Sequence, residues 1–448
     1  MLAFLAMTDL GGHLKPEQGA MLATLLILPV WRIAWSELRR QPVVRWLAVL
    51  VAFVVAHAAY AAGVFPALGF SKQLSAAAEP VRLAAFSCVV GWWLSLMPRK
   101  MPVLFALMIA GLLLAVGIYM PWQDLPQIWD GRIRPRFGMP ENLGGLLAAL
   151  SGWLALCLAL RPWNAHGRFG RRHGRIALCL AAYACSFAAL LFSQSRGAWL
   201  AFAATLPVAG AGLWYGCRHG RAAVPWLPLA CVAALSLLVL AGASDIVARR
   251  LAGAQELLFD TSAAVADTAA VGPPTRDVGS AVPAAGPAKP GPADVAESGE
   301  GRVNNEAIGV RVTLYRFGLQ RWRERPWLGW GLGTTPRLIA AAGLALDGQR
   351  HAHLHNAYLD ALVGLGLVGA LLLGGFALLA VRELWLAWRS GVVAPPVAFA
   401  LLAGSLLIVA VANGFDSLVW RYDYTRALLE ILLGCCIAYG LIRRRERR

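Results

Sequence analysis

The chain has 448 residues, 58% hydrophobic and only 15% charged, with mean hydropathy +0.59 and a formal net charge of +17. A soluble domain carries roughly 25% charged residues, so a soluble globule is excluded and an all-α polytopic membrane protein is expected. The basic excess does not point to nucleic acid, because long apolar runs interrupt it and it falls largely in short loops, as the positive-inside rule demands.

Met1 to Met7 is apolar but has no basic leader, so no cleavable signal peptide is expected. Apolar runs long enough to span a bilayer follow at 18–35, 43–63, 81–97, 102–119, 143–160, 176–194, 198–216, 224–242, 356–381, 393–412 and 426–442. These predict eleven spans, with Leu2–Met7 as the candidate remainder of a twelfth. Arg39 and Arg40, Arg99 and Lys100, Arg161 to Arg175, Arg218 and Arg221, Arg382 and Arg389, and the tail from Arg443 occupy alternate loops. That side is therefore predicted to be cytoplasmic. The loops 64–80, 120–142, 243–355 and 413–425, the tight Ser193–Gly197 turn and residue 1 then lie outside. The expected organisation is 1–242 as N-terminal membrane helices, 243–355 as a large outer loop, and 356–448 as C-terminal membrane helices.

Within the outer loop, 260–301 is rich in Ala, Pro, Gly and Asp and is predicted to be a flexible insert. Val312, Tyr315, Leu319 and Trp322 recur at helical spacing and predict an amphipathic helix over 310–325, ended by Pro326. Leu328–Gly333 reads as a tight, flexible turn. The eight cysteines (Cys88, Cys157, Cys179, Cys185, Cys217, Cys231, Cys435 and Cys436) lie in or beside apolar runs. They imply neither a disulfide framework nor a cysteine metal knot.

Arginines gather where the positive-inside rule disfavours them. Arg132, Arg134 and Arg136 lie in the 120–142 loop, Arg196 lies between two spans, and Arg311, Arg316, Arg321, Arg323 and Arg325 ride the amphipathic helix. A guanidinium pairs bidentately with phosphate, and each charge-assisted hydrogen bond contributes about 1.5–3 kcal/mol. Two or three would hold a diphosphate. Contact with anionic headgroups or acidic side chains is the alternative for the helix arginines.

Three histidines, His351, His353 and His355, crowd the boundary before the span at 356–381. Imidazole exchanges protons near neutral pH, and general base is the preferred reading for His355. A zinc or copper site is an alternative, with Asp347 and Asp360 the nearest carboxylates in sequence. Asn356 is a helix cap or a sugar-binding amide. Gly364, Gly366, Gly369, Gly374 and Gly375 predict close helix packing. Asp416, in the last outer loop, orients a histidine or arginine, or caps a turn.

These residues resemble the bacterial O-antigen ligases, in the superfamily that also holds O-antigen polymerases and protein O-oligosaccharyltransferases. His355-Asn356, nine residues and Gly366-Leu-Val-Gly369 fit that family's His-[Asn/Ser/Gln]-x9-Gly-x-x-Gly signature. Ser195-Arg196-Gly197 resembles its Ser-Arg-Gly turn. Arg311, fifteen residues before Pro326-Trp-Leu-Gly-Trp-Gly331, matches the arginine ahead of its Pro-x-x-Gly-x-Gly. Arg136 with Pro140-Glu-Asn142 resembles a looser Arg…Pro-Asn element that Glu141 interrupts, and Asp416 falls where ligases often carry an acid. The likeness covers about residues 120–430, and the 260–301 insert departs from it.

The resemblance implies a C-type glycosyltransferase-like bundle of 11–12 membrane helices with a periplasmic catalytic loop, in the bacterial inner membrane. It implies a donor of O-antigen polysaccharide on undecaprenyl diphosphate and an acceptor sugar hydroxyl on lipid A–core, with membrane lipids as further partners and no cofactor. Arg196 and Arg311 would clamp the diphosphate while His355 takes the acceptor proton; Arg136, His353, Asn356 and Asp416 would assist binding. No carboxylate pair suited to a covalent intermediate is seen, so a single inverting displacement is expected. No Gly-x4-Gly-Lys-[Ser/Thr] loop is present, in keeping with energy carried by the donor. Polymerase and protein transferase are the enzymatic alternatives, and a lipid-linked substrate transporter is the alternative of another class. No internal repeat supports the transporter.

Overall fold

The computed structural model describes residues 28–160, 169–208, 210–211, 226–248, 300–346, 349–391 and 396–447. The N-terminal topology, nearly all of the 260–301 insert, Cys217 and Asp347 lie outside the described residues. The helices are α1 (Leu28–Leu38), α2 (Pro42–Val64), α3 (Gly69–Leu96), α4 (Met101–Tyr119), α5 (Leu125–Trp129), α6 (Glu141–Ala159), α7 (Phe169–Phe192) and α8 (Arg196–Ala203). There follow α9 (Trp226–Gly242), α10 (Glu300–Glu324), α11 (Thr335–Ala341), α12 (Ala357–Arg389), α13 (Pro396–Phe415), α14 (Leu418–Arg421) and α15 (Asp423–Glu446). A two-residue hairpin pairs β1 (Ala345–Leu346) antiparallel to β2 (Gln349–Arg350).

Among the described residues eight helices, α2, α3, α4, α6, α7, α12, α13 and α15, are long and apolar enough to cross a bilayer, and α9 is a shorter apolar helix. The chain is an all-α multi-pass membrane protein. α6 is the axis of the bundle, packed against α4, α7, α8 and α13. Its small residues allow this: a Cβ on Gly145 would stand 2.8 Å from Ser193 Oγ and Ser195 Cβ. Trp153, fully buried on α6, fills the space left by Gly404 and donates its indole N–H to the Leu401 carbonyl. α15 lies along α3 through a glycine pair, where a Cβ on Gly91 would meet the Gly434 carbonyl at 2.8 Å.

The predicted outer loop 64–80 is mostly helix, because α3 starts at Gly69 and runs through a buried Pro80. Lys72, Gln73 and Glu79 keep this stretch out of any apolar window, yet its alanines propagate the helix. On α10 the predicted apolar face is one stripe off. Val310, Leu314 and Phe317 are the buried residues, packed with Leu354, Leu359 and Val363, whereas Leu319 is exposed. The helix is apolar on two stripes, and periodicity does not tell a protein-facing stripe from one left for lipid.

The glycines of α12 do more than pack. At Gly366 (φ 65°, ψ −172°) the helix breaks. A broken helix frees backbone groups that lipid cannot satisfy. Here the 326–331 segment satisfies them. The Trp330 and Gly331 amides donate to the Val363 and Gly364 carbonyls, both at 2.8 Å. The Leu367 and Val368 amides donate back to the Pro326 and Trp327 carbonyls at 2.8 and 3.1 Å. His57 Nε2 donates to the Leu328 carbonyl at 2.7 Å from α2. The expected flexible turn at Leu328–Gly333 is instead a backbone latch. Gly329 (φ 66°) fits because its side of the chain lies against the Val363 carbonyl, 2.5 Å from where a Cβ would be. Gly369 and Gly375 do receive neighbours, Phe53 and Trp46 of α2, while Gly374 faces open space.

At the opposite end of α12, Glu383 is 1% exposed and accepts from Arg443 at 2.9 Å and Arg444 at 3.0 Å. Arg445 pairs with Glu37. These contacts anchor the basic end of α15 to α12 and α1.

Candidate functional site

One end of the bundle collects the starts of α6, α8 and α12 and the end of α13. The 351–356 segment entering α12 is neither helix nor strand. Asn356 ends it as the N-cap of α12, its Oδ1 accepting from the Tyr358 and Leu359 amides at 3.0 and 3.1 Å. His355 sits in the left-handed region at φ 54°, a strained conformation for a non-glycine residue that costs on the order of 1–3 kcal/mol. Three contacts hold it. The Tyr315 hydroxyl of α10 donates to the His355 carbonyl (3.0 Å), the His355 amide donates to His353 Nδ1 (3.2 Å), and Leu354 is fully buried beside it. Asp360, 8% exposed, secures the same segment by accepting from the Leu354 amide at 3.3 Å and from the Ser417 hydroxyl.

Asp416 is the charge at the centre, 4% exposed. Its Oδ1 lies 3.4 Å from His355 Nδ1, 4.0 Å from His353 Nδ1 and 3.6 Å from Arg421 Nη1. His355 Nδ1 is buried, and its 3.4 Å approach to Asp416 is longer than a regular hydrogen bond. Burial alone would raise the Asp416 carboxyl. The close His355 imidazole, the Asn142 amide and the nearby His353 ring outweigh it and hold the carboxyl well below the usual range. Asn142, on the first turn of α6, donates to Asp416 Oδ2 at 2.8 Å. Its Oδ1 accepts from Arg134 Nη2 at 3.1 Å and from the Ser195 hydroxyl at 3.3 Å. Asn142 thereby ties the carboxylate to the Ser195-Arg196 turn.

His353 is held down to about 3, first by burial and then by the neighbouring His355 and Arg421; Asp416 opposes this. Its Nδ1 accepts from the His355 amide, so it is a neutral acceptor and not the cation partner that its 4.0 Å approach to Asp416 suggests. The sign of the pH effect follows. Between the ordinary 6.5 and about 3 the unfolded chain binds a proton that the folded site refuses. The contribution is thus fully present above 6.5 and is lost as pH falls. We expect thermal stability in detergent to drop from about pH 7.5 to about pH 5, and the His353→Gln variant to drop less. Equal slopes in the two proteins would remove His353 as the cause.

Arg196, at the start of α8, has Nε and Nη2 buried without a hydrogen-bond partner. Burial first and Arg311 second push it below an ordinary arginine, so the two guanidinium groups feel each other. Among the described residues Arg311 has no hydrogen bond or salt bridge to protein. The other α10 arginines divide. Arg321 pairs with Glu324 and lies over Phe317, Arg325 reaches the Tyr60 hydroxyl and stacks on Trp330, and Arg316 and Arg323 are exposed.

Of the predicted site residues, His353, His355, Asn356 and Asp416 converge, and Arg196 feels the charge of Arg311. Arg136 does not join them: its side chain is 78% exposed and pairs with Glu141 at 2.9 Å. Its loop neighbour Arg134 takes the inward place, donating to the Ser193 carbonyl and to Asn142. Asn356 spends its carbonyl oxygen on the cap. Ser417 and Arg421 had no predicted site role, and Asn142 figured only in a motif, Tyr315 only on a helix face and Asp360 only as a nearby carboxylate. Asn142 had a signal, since a Pro-x-Asn run opens a span where an amide has no reason to face lipid.

Residues 181–374 match the family model described as O-Antigen ligase. No curated protein matches the chain. The matched stretch takes in the Ser195-Arg196-Gly197 turn, Arg311, the 326–331 latch and His355 through Gly369. Over that stretch, a little under half of its length, the chain is similar to the O-antigen ligase family of ligase- and polymerase-type membrane glycosyltransferases.

Proposed function

We propose that the protein transfers O-antigen polysaccharide from undecaprenyl diphosphate to a sugar hydroxyl of lipid A–core, at the periplasmic face of the bacterial inner membrane. The observation that carries this reading is the half-buried Arg196 guanidinium. Two of its nitrogens lack a partner, and the charge of Arg311 is close enough to act on it. Two half-buried cations that repel each other call for an anion partner, and a lipid diphosphate supplies one.

His355 acts as the general base. With Nδ1 turned to Asp416, Nε2 is left to take the acceptor proton as the oxygen attacks the anomeric carbon. Asp416, kept ionised, fixes the ring and stabilises the imidazolium that forms. Arg196 and Arg311 neutralise the charge that builds on the leaving diphosphate. A single displacement inverts the anomeric centre. His353, Asn356 and the exposed Arg136 would contact the substrates, the last by meeting phosphates of the acceptor.

The test is reconstitution of purified protein with undecaprenyl-diphosphate-linked glycan and rough lipopolysaccharide. Ligated product is expected. Product only when a second lipid-linked repeat, or a serine peptide, replaces the lipopolysaccharide would reassign the chain as polymerase or protein transferase. In the same assay Arg196→Lys should lose about tenfold to a hundredfold, close to Arg196→Ala, because lysine keeps the charge but not the fork. Full activity of the lysine variant would show that charge alone matters there.

A further inference from the structure

We propose that His353, His355 and Asp416 form a binding site for a late first-row divalent cation, with Zn2+ the best fit, and that the bound ion switches the base off. The second half rests on the reading of His355 as the base; the binding does not. Each of the three residues offers a ligand atom, and these atoms lie within 4.8 Å of one another. A tetrahedral zinc with bonds near 2.0–2.1 Å holds its ligand atoms about 3.3 Å apart. His355 Nδ1 already stands 3.4 Å from Asp416 Oδ1, and His353 Nδ1 stands 4.0 Å from the same oxygen. Small side-chain rotations close the set.

Two further features favour an ion. His355 Nδ1 and His351 Nε2 are both buried with no hydrogen-bond partner, and the two rings are 5.8 Å apart. Buried ring nitrogens without partners are costly, and a metal satisfies them. His351 stands beside the set without belonging to the three residues whose ligand atoms lie within 4.8 Å of one another. The backbone is also set in advance, since Tyr315, Asp360 and Leu354 pin the segment. Two groups oppose binding: the His355 amide, which donates to His353 Nδ1 at 3.2 Å and must release it, and Arg421, whose Nη1 lies 3.6 Å from Asp416 Oδ1. That side chain is more than a third exposed and is free to swing into solvent.

The consequence for proton transfer follows from imidazole chemistry. Without metal, Nδ1–H faces Asp416 and the Nε2 lone pair accepts a proton. An imidazole bound to zinc through Nδ1 carries its one proton on Nε2, which then has no lone pair to offer. Occupancy therefore inhibits. It is also compatible with a reaction that needs no metal.

The experiment uses full-length protein with any affinity tag removed, stripped with chelator and placed in nanodiscs. Zn2+ is titrated by calorimetry, and Co2+ by its visible absorption. One Zn2+ per chain is expected, with tetrahedral-type Co2+ bands. His353→Ala and Asp416→Asn should each weaken binding by at least about tenfold. Arg421→Ala should tighten it. No stoichiometric binding, or equal affinity in wild type and both ligand variants, overturns the site. A parallel arm measures glycan transfer with Zn2+ and after chelation. Inhibition reversed by chelator is expected, and undiminished transfer by zinc-saturated protein overturns the switch. Metal-free wild type that transfers no glycan at all counts against the proposed function, while the calorimetry still decides the site.

Discussion

Replacing His355 by asparagine abolishes glycan transfer while leaving the fold intact: that is the expected result, with transfer reduced by about 10²–10⁴-fold, the usual share of a general base. Asparagine is the informative choice because of the backbone. His355 holds φ 54°, and asparagine is among the few L residues that adopt this region readily. Alanine at the same place confounds loss of the base with relaxation of the 351–356 segment. Asparagine keeps a side chain that reaches toward Asp416 and removes only the capacity to accept a proton near neutral pH. The thermal midpoint of the asparagine variant should stay close to wild type, and lipid-linked donor should accumulate in cells that express it. Near-normal transfer would take the proton-accepting role away from His355. Asp416→Asn should also be slow, though less so, because an amide can still orient the ring but cannot stabilise its charged form. Since the Asp416 carboxyl is held well below its ordinary range, an acid limb in the activity profile near neutral pH would not come from it.

The sequence was legible where physics repeats. Long apolar runs announced α2, α4, α6, α7, α12, α13 and α15, because a helix that must satisfy its own backbone in lipid has few ways to vary. The run of three histidines beside a helix cap was also plain, as was the pairing of Arg196 with Arg311 once their motifs were set side by side. What stayed hidden depends on the third dimension. Arg134 and Arg136 are two residues apart in one loop, and nothing in their spacing says which turns inward to Asn142 and which pairs with Glu141 in solvent. Asp360 reads as one acid in the first turn of a helix. Only packing reveals that it joins the histidine segment to Ser417, one residue from Asp416. The start of α3 was missed because polar residues at 72, 73 and 79 interrupt hydropathy without interrupting the helix. The glycine pattern of α12 was read as helix packing, a correct principle applied to a helix that turns out to be broken.

That break gives the second large effect. Gly366→Ala is expected to destabilise the protein by on the order of 3 kcal/mol or more, lowering the yield of folded protein and its thermal midpoint in detergent. Two costs add. With φ 65° and ψ −172°, residue 366 occupies a region that is essentially closed to side chains. A Cβ there would also stand 2.3 Å from the Trp327 carbonyl carbon and oxygen and 2.4 Å from the Leu328 amide. These are backbone atoms held by reciprocal hydrogen bonds, so relief requires the 326–331 segment to lift off α12. Lifting it would expose the Val363 and Gly364 carbonyls and the Leu367 and Val368 amides, which no water in a bilayer core can satisfy. The matched control is Gly374→Ala on the same helix. Its Cβ would meet nothing within 4 Å, and replacing a helical glycine by alanine gains up to about 1 kcal/mol. Transfer should fall with the 366 variant even in the surviving folded fraction. The latch connects the end of α10, which bears Arg311 and Tyr315, to the helix that His355 leads into, so slippage moves clamp and base apart. Equal thermal stability of the 366 and 374 variants would sink the latch, and it would return the signature glycines to the packing role their spacing suggests.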